Sequence, residues 1–135
     1  MKEITVHATV ENISKVTAFV DEQLEKLACP MKAQMQLDVA IDELLGNIAH
    51  YAYAPGTGDA TVRSDFDEAA RVVSVTFLDS GVLFDPLVRE DPNVHASAAE
   101  RGVGGLGIYL VKKTMDRVDY RYADGKNILT IQKCI

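Results

Sequence analysis

Two pairs of short alternating segments constrain this chain more than any other feature. Residues 59 to 66 and 71 to 78 alternate apolar and polar positions with the Asp67-Glu68 turn region between them, and residues 117 to 123 and 127 to 133 do the same around Asp124-Gly125. A period of two is the pattern of a half-buried strand, and connections this short join antiparallel neighbours. Two hairpins are therefore expected, and with them a largely antiparallel sheet. Residues 3 to 10 add a further alternating segment, with Ile4, Val6, Ala8 and Val10 on one side.

The period changes between these strands. Asn12 or Ser14 is placed to cap a helix carrying Ile13, Val16, Val20, Leu24 and Leu27, which Cys29-Pro30 ends. From about residue 31 to 53, Leu37, Ile41, Leu44, Ile48 and Ala52 recur at steps of three and four and form one apolar stripe on a second, longer helix. Pro55-Gly56-Thr57-Gly58 breaks the chain before the first hairpin. Helical spacing returns from Gly105 to about Met115 through Leu106, Leu110 and Val111. The order strand, helix, helix, strand, strand, helix, strand, strand predicts an α+β fold. Its economical form is a two-layer α/β sandwich with a mixed, mostly antiparallel sheet and helices on one face. At 135 residues it is expected to be one domain, 1–135.

Charge and cysteine content exclude several classes of function. A formal net charge of −6 offers no general attraction to phosphate backbones or anionic lipid, so neither direct nucleic acid binding nor membrane association is expected. Cys29 and Cys134 stand far apart without a Cys/His grouping, which argues against a disulfide framework or a zinc site. The opening residues lack an apolar signal core, and no run approaches the ~18 apolar residues of a membrane span. The expected compartment is the cytoplasm, and the expected partners are a small molecule or another protein.

Three separated segments carry candidate chemistry. Glu43 and Asn47 lie four apart, so a carboxylate and a neutral amide share one side of the long helix. Alone, such a pair is an ordinary solvated helix face. Asp79-Ser80-Gly81 follows the apolar strand directly, where a carboxylate can accept a hydrogen bond from an exocyclic amine and glycine admits a close backbone approach. Alone, this is a common turn. The third segment, Gly102 to Gly107, reads GVGGLG and runs into a helix whose first N–H groups are unpaired, an arrangement suited to phosphate. It also matches the dinucleotide fingerprint GxGxxG. That reading needs a preceding strand and a βαβ unit, whereas here a polar stretch precedes the loop and only a helix and a hairpin follow it.

Together, LDVAIDELLGNIAHYAY, DSGVLFDP, RGVGGLGIYLVKKTMDRVDY and NILTIQK resemble the anti-sigma factor serine/threonine kinases, a branch of the histidine-kinase-like (GHKL) ATPases with a Bergerat-type fold. The likeness extends over nearly the whole chain. It implies ATP and Mg²⁺ as cofactors, with Asn47 as the metal-coordinating residue and Glu43 as general base. It also implies that Asp79 reads the adenine amine beside Gly81, and that Gly102, Gly104, Gly105, Leu106 and Gly107 form the phosphate-binding loop and helix start. The stretch from Pro86 to Arg101 resembles the ATP lid, with Arg101 a catalytic candidate that reaches a terminal phosphate or a partner. Two departures stand out. Tyr51 occupies the position where relatives often carry histidine, and Gly125-Lys126-Asn127 replaces a Gly-Thr pair, leaving Asn127 and Thr130 both open as support for the adenine end.

The function expected from this resemblance is an Mg-ATP-binding regulator with protein serine kinase activity toward an anti-anti-sigma (STAS-type) partner, acting as an anti-sigma factor on a sigma factor. A homodimer is compatible with it. The alternatives are an ATP-switched binding module without useful kinase activity and a stand-alone histidine-kinase-like catalytic domain.

Overall fold

The computed structural model describes residues 1–88 and 106–135. In chain order these form β1 (Lys2–His7), α1 (Ile13–Lys26), α2 (Met31–Asn47), β2 (Asp59–Asp67), β3 (Val72–Asp79), α3 (Leu106–Thr114), β4 (Arg117–Ala123) and β5 (Lys126–Cys134). The strands make one five-stranded sheet in the order β1-β2-β3-β5-β4. All four described pairings are antiparallel, so the parallel component of the expected mixed sheet is not found between neighbours. β3 and β4 run in the same direction, but β5 inserts between them. The predicted hairpin at Asp124-Gly125 is a two-residue turn with φ of 54° and 73°, the left-handed pair that matches strand twist.

Alternation along each strand sorts the two faces. Val62, Val75, Phe77 and Ile131 are almost fully buried and meet Val16, Val20, Leu24, Leu37, Ile41 and Val111 from the helices. Burying each such side chain contributes roughly 1.5–3 kcal/mol, which is why these periodic positions dictate the architecture. The opposite face is polar and held across strands by hydroxyl pairs, Thr5 with Thr61 at 2.8 Å and Thr76 with Thr130 at 3.0 Å. The helices therefore cover one face, as the pattern predicts.

The first strand is shorter than its alternation suggests. It stops at His7, whose carbonyl accepts from the Asn12 side-chain amide at 2.8 Å, and the chain turns through a short 3₁₀ segment, Val10–Asn12. Val10 is consequently 54% exposed instead of sharing the strand's inner side. Asn12 precedes α1 but makes no side-chain cap, because its amide is spent on closing this turn. At the other end of α1, Ala28 takes a left-handed φ of 53° while the Cys29 N–H reaches back to the Leu24 carbonyl at 3.0 Å. This Schellman-type closure ends the helix just before Pro30.

α2 does not stop cleanly. Its last turn widens into a π-helical segment, Ile48–Ala52. Such a segment shifts the side chains that follow relative to the α-helical register, and it lies directly above the end of β3 through the hydrogen bond from the Val82 N–H to the Ala52 carbonyl, 2.9 Å. This contact brings α2 to the site.

Candidate functional site

The C-terminal end of α2, the end of β3 and the start of β5 enclose a cavity of about 50 Å³, lined by Asn47, Ile48, Tyr51, Asp79, Phe84, Tyr120 and Asn127 among others. Ligand clefts usually measure ~300–1,000 Å³, so this is the inner end of a site rather than all of it. Its walls are mostly apolar or aromatic, and Tyr51 stacks on Phe84 with ring centroids 6.4 Å apart. Asn47 and Asp79, 32 positions apart in sequence, thus face one pocket.

Asp79 is 7% exposed, at the last position of β3. Its Oδ1 accepts the Gly81 N–H and the Asn127 Nδ2–H, both at 2.9 Å. Oδ2 accepts nothing among the described residues and is the oxygen left for a donor in the pocket. Asp79 and Asn127 are paired directly across β3 and β5. Asn127 is itself held on every side, since Nδ2 also donates to the Val82 carbonyl at 2.8 Å and Oδ1 accepts from the Phe84 N–H at 3.1 Å and the Tyr120 hydroxyl at 2.5 Å. Of Asn127 and Thr130, only Asn127 lines the pocket. Thr130 bonds to Thr76 on the polar face, because three residues along a strand is an odd step and points the side chain away from the pocket.

Gly81 has a packing reason to be glycine, as a Cβ there would overlap the backbone of Ala52. The close approach it permits is that of the chain to the π-helical turn. Glu43 sits one helical turn before Asn47, and its carboxylate lies where a Cβ on Gly107 would be. The start of α3 therefore rests against Glu43, with Leu106 partly exposed beside it. Arg101, Gly102, Gly104 and Gly105, together with most of the expected lid, lie outside the described residues.

Several site residues escaped the sequence reading. Tyr53 does not line this cavity but ties down the chain beside Asp79, donating from its hydroxyl to the Asp59 carbonyl at 2.6 Å and accepting the Ser80 N–H at 2.8 Å. Burial is the main cause that raises its pKa, partly offset by the Ser80 hydrogen bond and reinforced by Asp79 and Asp59, so the phenol stays a donor. Tyr120 and Phe84 were likewise not singled out. Each aromatic fits its strand or loop pattern as ordinary packing; the sheet order brings Tyr120 of β4 toward Asp79, whereas Phe84 follows Asp79 closely along the chain. His50 is exposed and does not line the pocket, although its ring lies 6.1 Å from that of Tyr51.

The site is thus a carboxylate at the base of an apolar slot, beside the amide-bearing end of α2, an arrangement chemically suited to an apolar ring that carries a hydrogen-bond donor. Residues 6–133 match the family described as Histidine kinase-like ATPase domain, and the chain belongs to that family, whose members bind ATP. A particular relative is the serine/threonine-protein kinase BtrW of Bordetella bronchiseptica, 30% identical over 100 residues that span 74% of this chain and 70% of that protein. Among solved structures, one from the SiaB-SiaC complex of Pseudomonas aeruginosa superposes with a TM-score of 0.59 at 17% identity, covering 98% of this chain and 89% of the other. At that identity the likeness concerns the fold. The family and the kinase relative both accord with the resemblance drawn from the sequence boxes. Among the described residues, no helix is long and apolar enough to cross a membrane.

Proposed function

We propose that this chain is an anti-sigma factor that binds Mg-ATP and phosphorylates a serine of an anti-anti-sigma (STAS-type) partner, and that it also captures a sigma factor. The observation that carries the reading is the convergence of Asn47 and Asp79 on one pocket with Glu43 a turn away, against the first turn of α3. The relative named as a serine/threonine kinase supports the choice of acceptor.

The residues present fit the cofactors. Asp79 offers one free carboxylate oxygen to the adenine amine, and the apolar walls accept the faces of the base. Asn47 presents an amide oxygen, the neutral hard donor that Mg²⁺ accepts beside phosphates and water. Bound Mg-ATP supplies the transferable phosphoryl group with its charge partly neutralised. With that group bound, Glu43 would be the residue to take the proton of the partner's serine hydroxyl, and the N–H groups opening α3 would be the donors for the phosphates. Phosphoryl transfer depends chiefly on positioning and electrostatics, which so compact a site is equipped to supply.

The test is transfer of labelled γ-phosphate from ATP to the serine of a purified partner. Glu43→Gln keeps the side chain's shape, so it should lower transfer by about a hundredfold or more while leaving ADP binding near that of the parent. If the parent protein holds ATP and its partner yet transfers nothing, the kinase assignment fails and ATP-switched capture replaces it.

A further inference from the structure

Asn127 has four hydrogen-bond opportunities on its amide, and all four are used by groups from three different parts of the chain. Nδ2 donates to Asp79 on β3 and to the Val82 carbonyl, while Oδ1 accepts from the Phe84 N–H and from Tyr120 on β4. The partners also fix the amide's orientation, because two are acceptors and two are donors. Asn127 is 6% exposed and has no group left over for a ligand. What it controls is the group beside it. By occupying Oδ1 of Asp79 together with the Gly81 N–H, it leaves one carboxylate oxygen open and holds the plane of the carboxylate.

We propose that Asn127 is the positioning residue of the base pocket: it orients Asp79 toward the base and ties that orientation to the Val82–Phe84 segment, with Tyr120 fixing its amide. This rests on the nucleotide reading of the pocket. The consequence is a coupling between two places. Any movement of residues 82 to 84 pulls on the amide that holds Asp79, so base recognition and the conformation of this segment are set together. The Tyr120 hydroxyl remains a proton donor. Burial, opposed by the Phe84 hydrogen bond and reinforced by Asp85, Asp79 and Tyr122, raises its pKa.

The test uses Asn127→Asp, which keeps shape but replaces the amide donor by a carboxylate beside Asp79. Two adjacent carboxylates do not both ionise readily, so one of them takes up a proton on mild acidification and restores an O–H donor where the Nδ2–H stood. The titratable groups around that pair are Tyr120, whose hydroxyl meets the residue 127 side chain, Asp85 and Tyr122, which act on Tyr120 together with Asp79, and Tyr53, which feels the charge of Asp79. ADP affinity of the variant should fall about tenfold or more near pH 9 and recover toward the parent's near pH 6, while the parent's own affinity stays flat. Tyr120→Phe should produce a smaller, pH-independent loss. A loss in Asn127→Asp that is equally large at both ends, with a melting curve like the parent's, would reduce Asn127 to a packing residue and overturn the proposal. So would an unchanged affinity throughout.

The ligand-free melting temperature separates this failure from a failure of the nucleotide reading. The shared proton requires the variant's deficit relative to the parent to shrink as pH falls, whether or not nucleotide binds. If that deficit behaves so but the parent does not bind ADP, the nucleotide reading itself is wrong and the positioning role falls with it. If the parent binds ADP and the deficit does not narrow, only the Asn127 assignment is lost.

Discussion

Asn47 illustrates how a single residue acquires a role from its neighbours. On sequence alone it is an amide on a helix face, but at the last position of α2 it lines the same cavity as Asp79. Its proposed contact is with the cation, so Asn47→Ala should weaken Mg-ATP by about tenfold or more, the scale of a lost contact to a charged group. Binding of ATP in the presence of a chelator should change much less. Calorimetric titration with and without Mg²⁺ checks this, and equal losses in both conditions would remove Asn47 from the metal shell. Gly107 makes the complementary point, since it is the lack of a side chain there that leaves room for the Glu43 carboxylate.

At the scale of elements, the contact between α1 and α2 contains a feature the function does not use. Asp21 and Asp38 approach one another across it, and the Oδ1 atom of each is buried without a hydrogen-bond partner among the described residues. Burial first, then the hydrogen bond and charge of Asp21, push the Asp38 carboxyl up to about 7. Its pKa in the unfolded chain is about 3.9. A carboxyl raised on folding binds its proton more tightly in the native state, so its contribution is fully present below about pH 4 and is lost as pH rises through about 7. Asp38→Asn supplies a permanent donor to Asp21 and removes the titration. The variant should therefore be more stable than the parent above about pH 7.5, by ~1 kcal/mol after allowance for the solvent that reaches the pair, and the gap should close toward about pH 4. Urea melts across that range measure it. A constant gap would mean that the two carboxyls do not share a proton.

For the whole molecule, a ligand that joins α2, β3 and β5 links parts of the chain that are distant in sequence and should raise the stability of the entire domain. Nucleotide held at a hundred times its dissociation constant adds about 2.7 kcal/mol. For a domain of this size that corresponds to a rise of roughly 10 °C in melting temperature. Scanning calorimetry with Mg-ADP and with Mg-GDP gives the comparison, and only the adenine nucleotide should produce the full shift, because the open oxygen of Asp79 is acceptor-only. Equal shifts for both nucleotides would contradict the assignment of Asp79 as the base reader.

How much of this was written in the sequence depends on the distance over which each signal acts. The helix stripe through Leu37, Ile41 and Leu44, the alternation of β2 and β3, and the Asp124-Gly125 turn are local patterns, and each appears in the structure where its period predicts it. Glu43, Asn47 and Asp79 were recognisable as candidates because their motifs are contiguous. The end of β1 was misjudged because alternation continued to Val10, while the hydrogen bond from Asn12 to His7 that turns the chain has no period to reveal it. On its far side from β2, β3 pairs with β5 rather than with β4, and no periodic pattern within β3 announces that choice. That one pairing sets Asn127 opposite Asp79 and brings Tyr120 to its amide. Local periodicity thus determined the elements and the candidate motifs, and tertiary pairing alone decided which side chains hold Asp79, because hydrogen bonds between strands depend on register in space and leave no periodic trace along the chain.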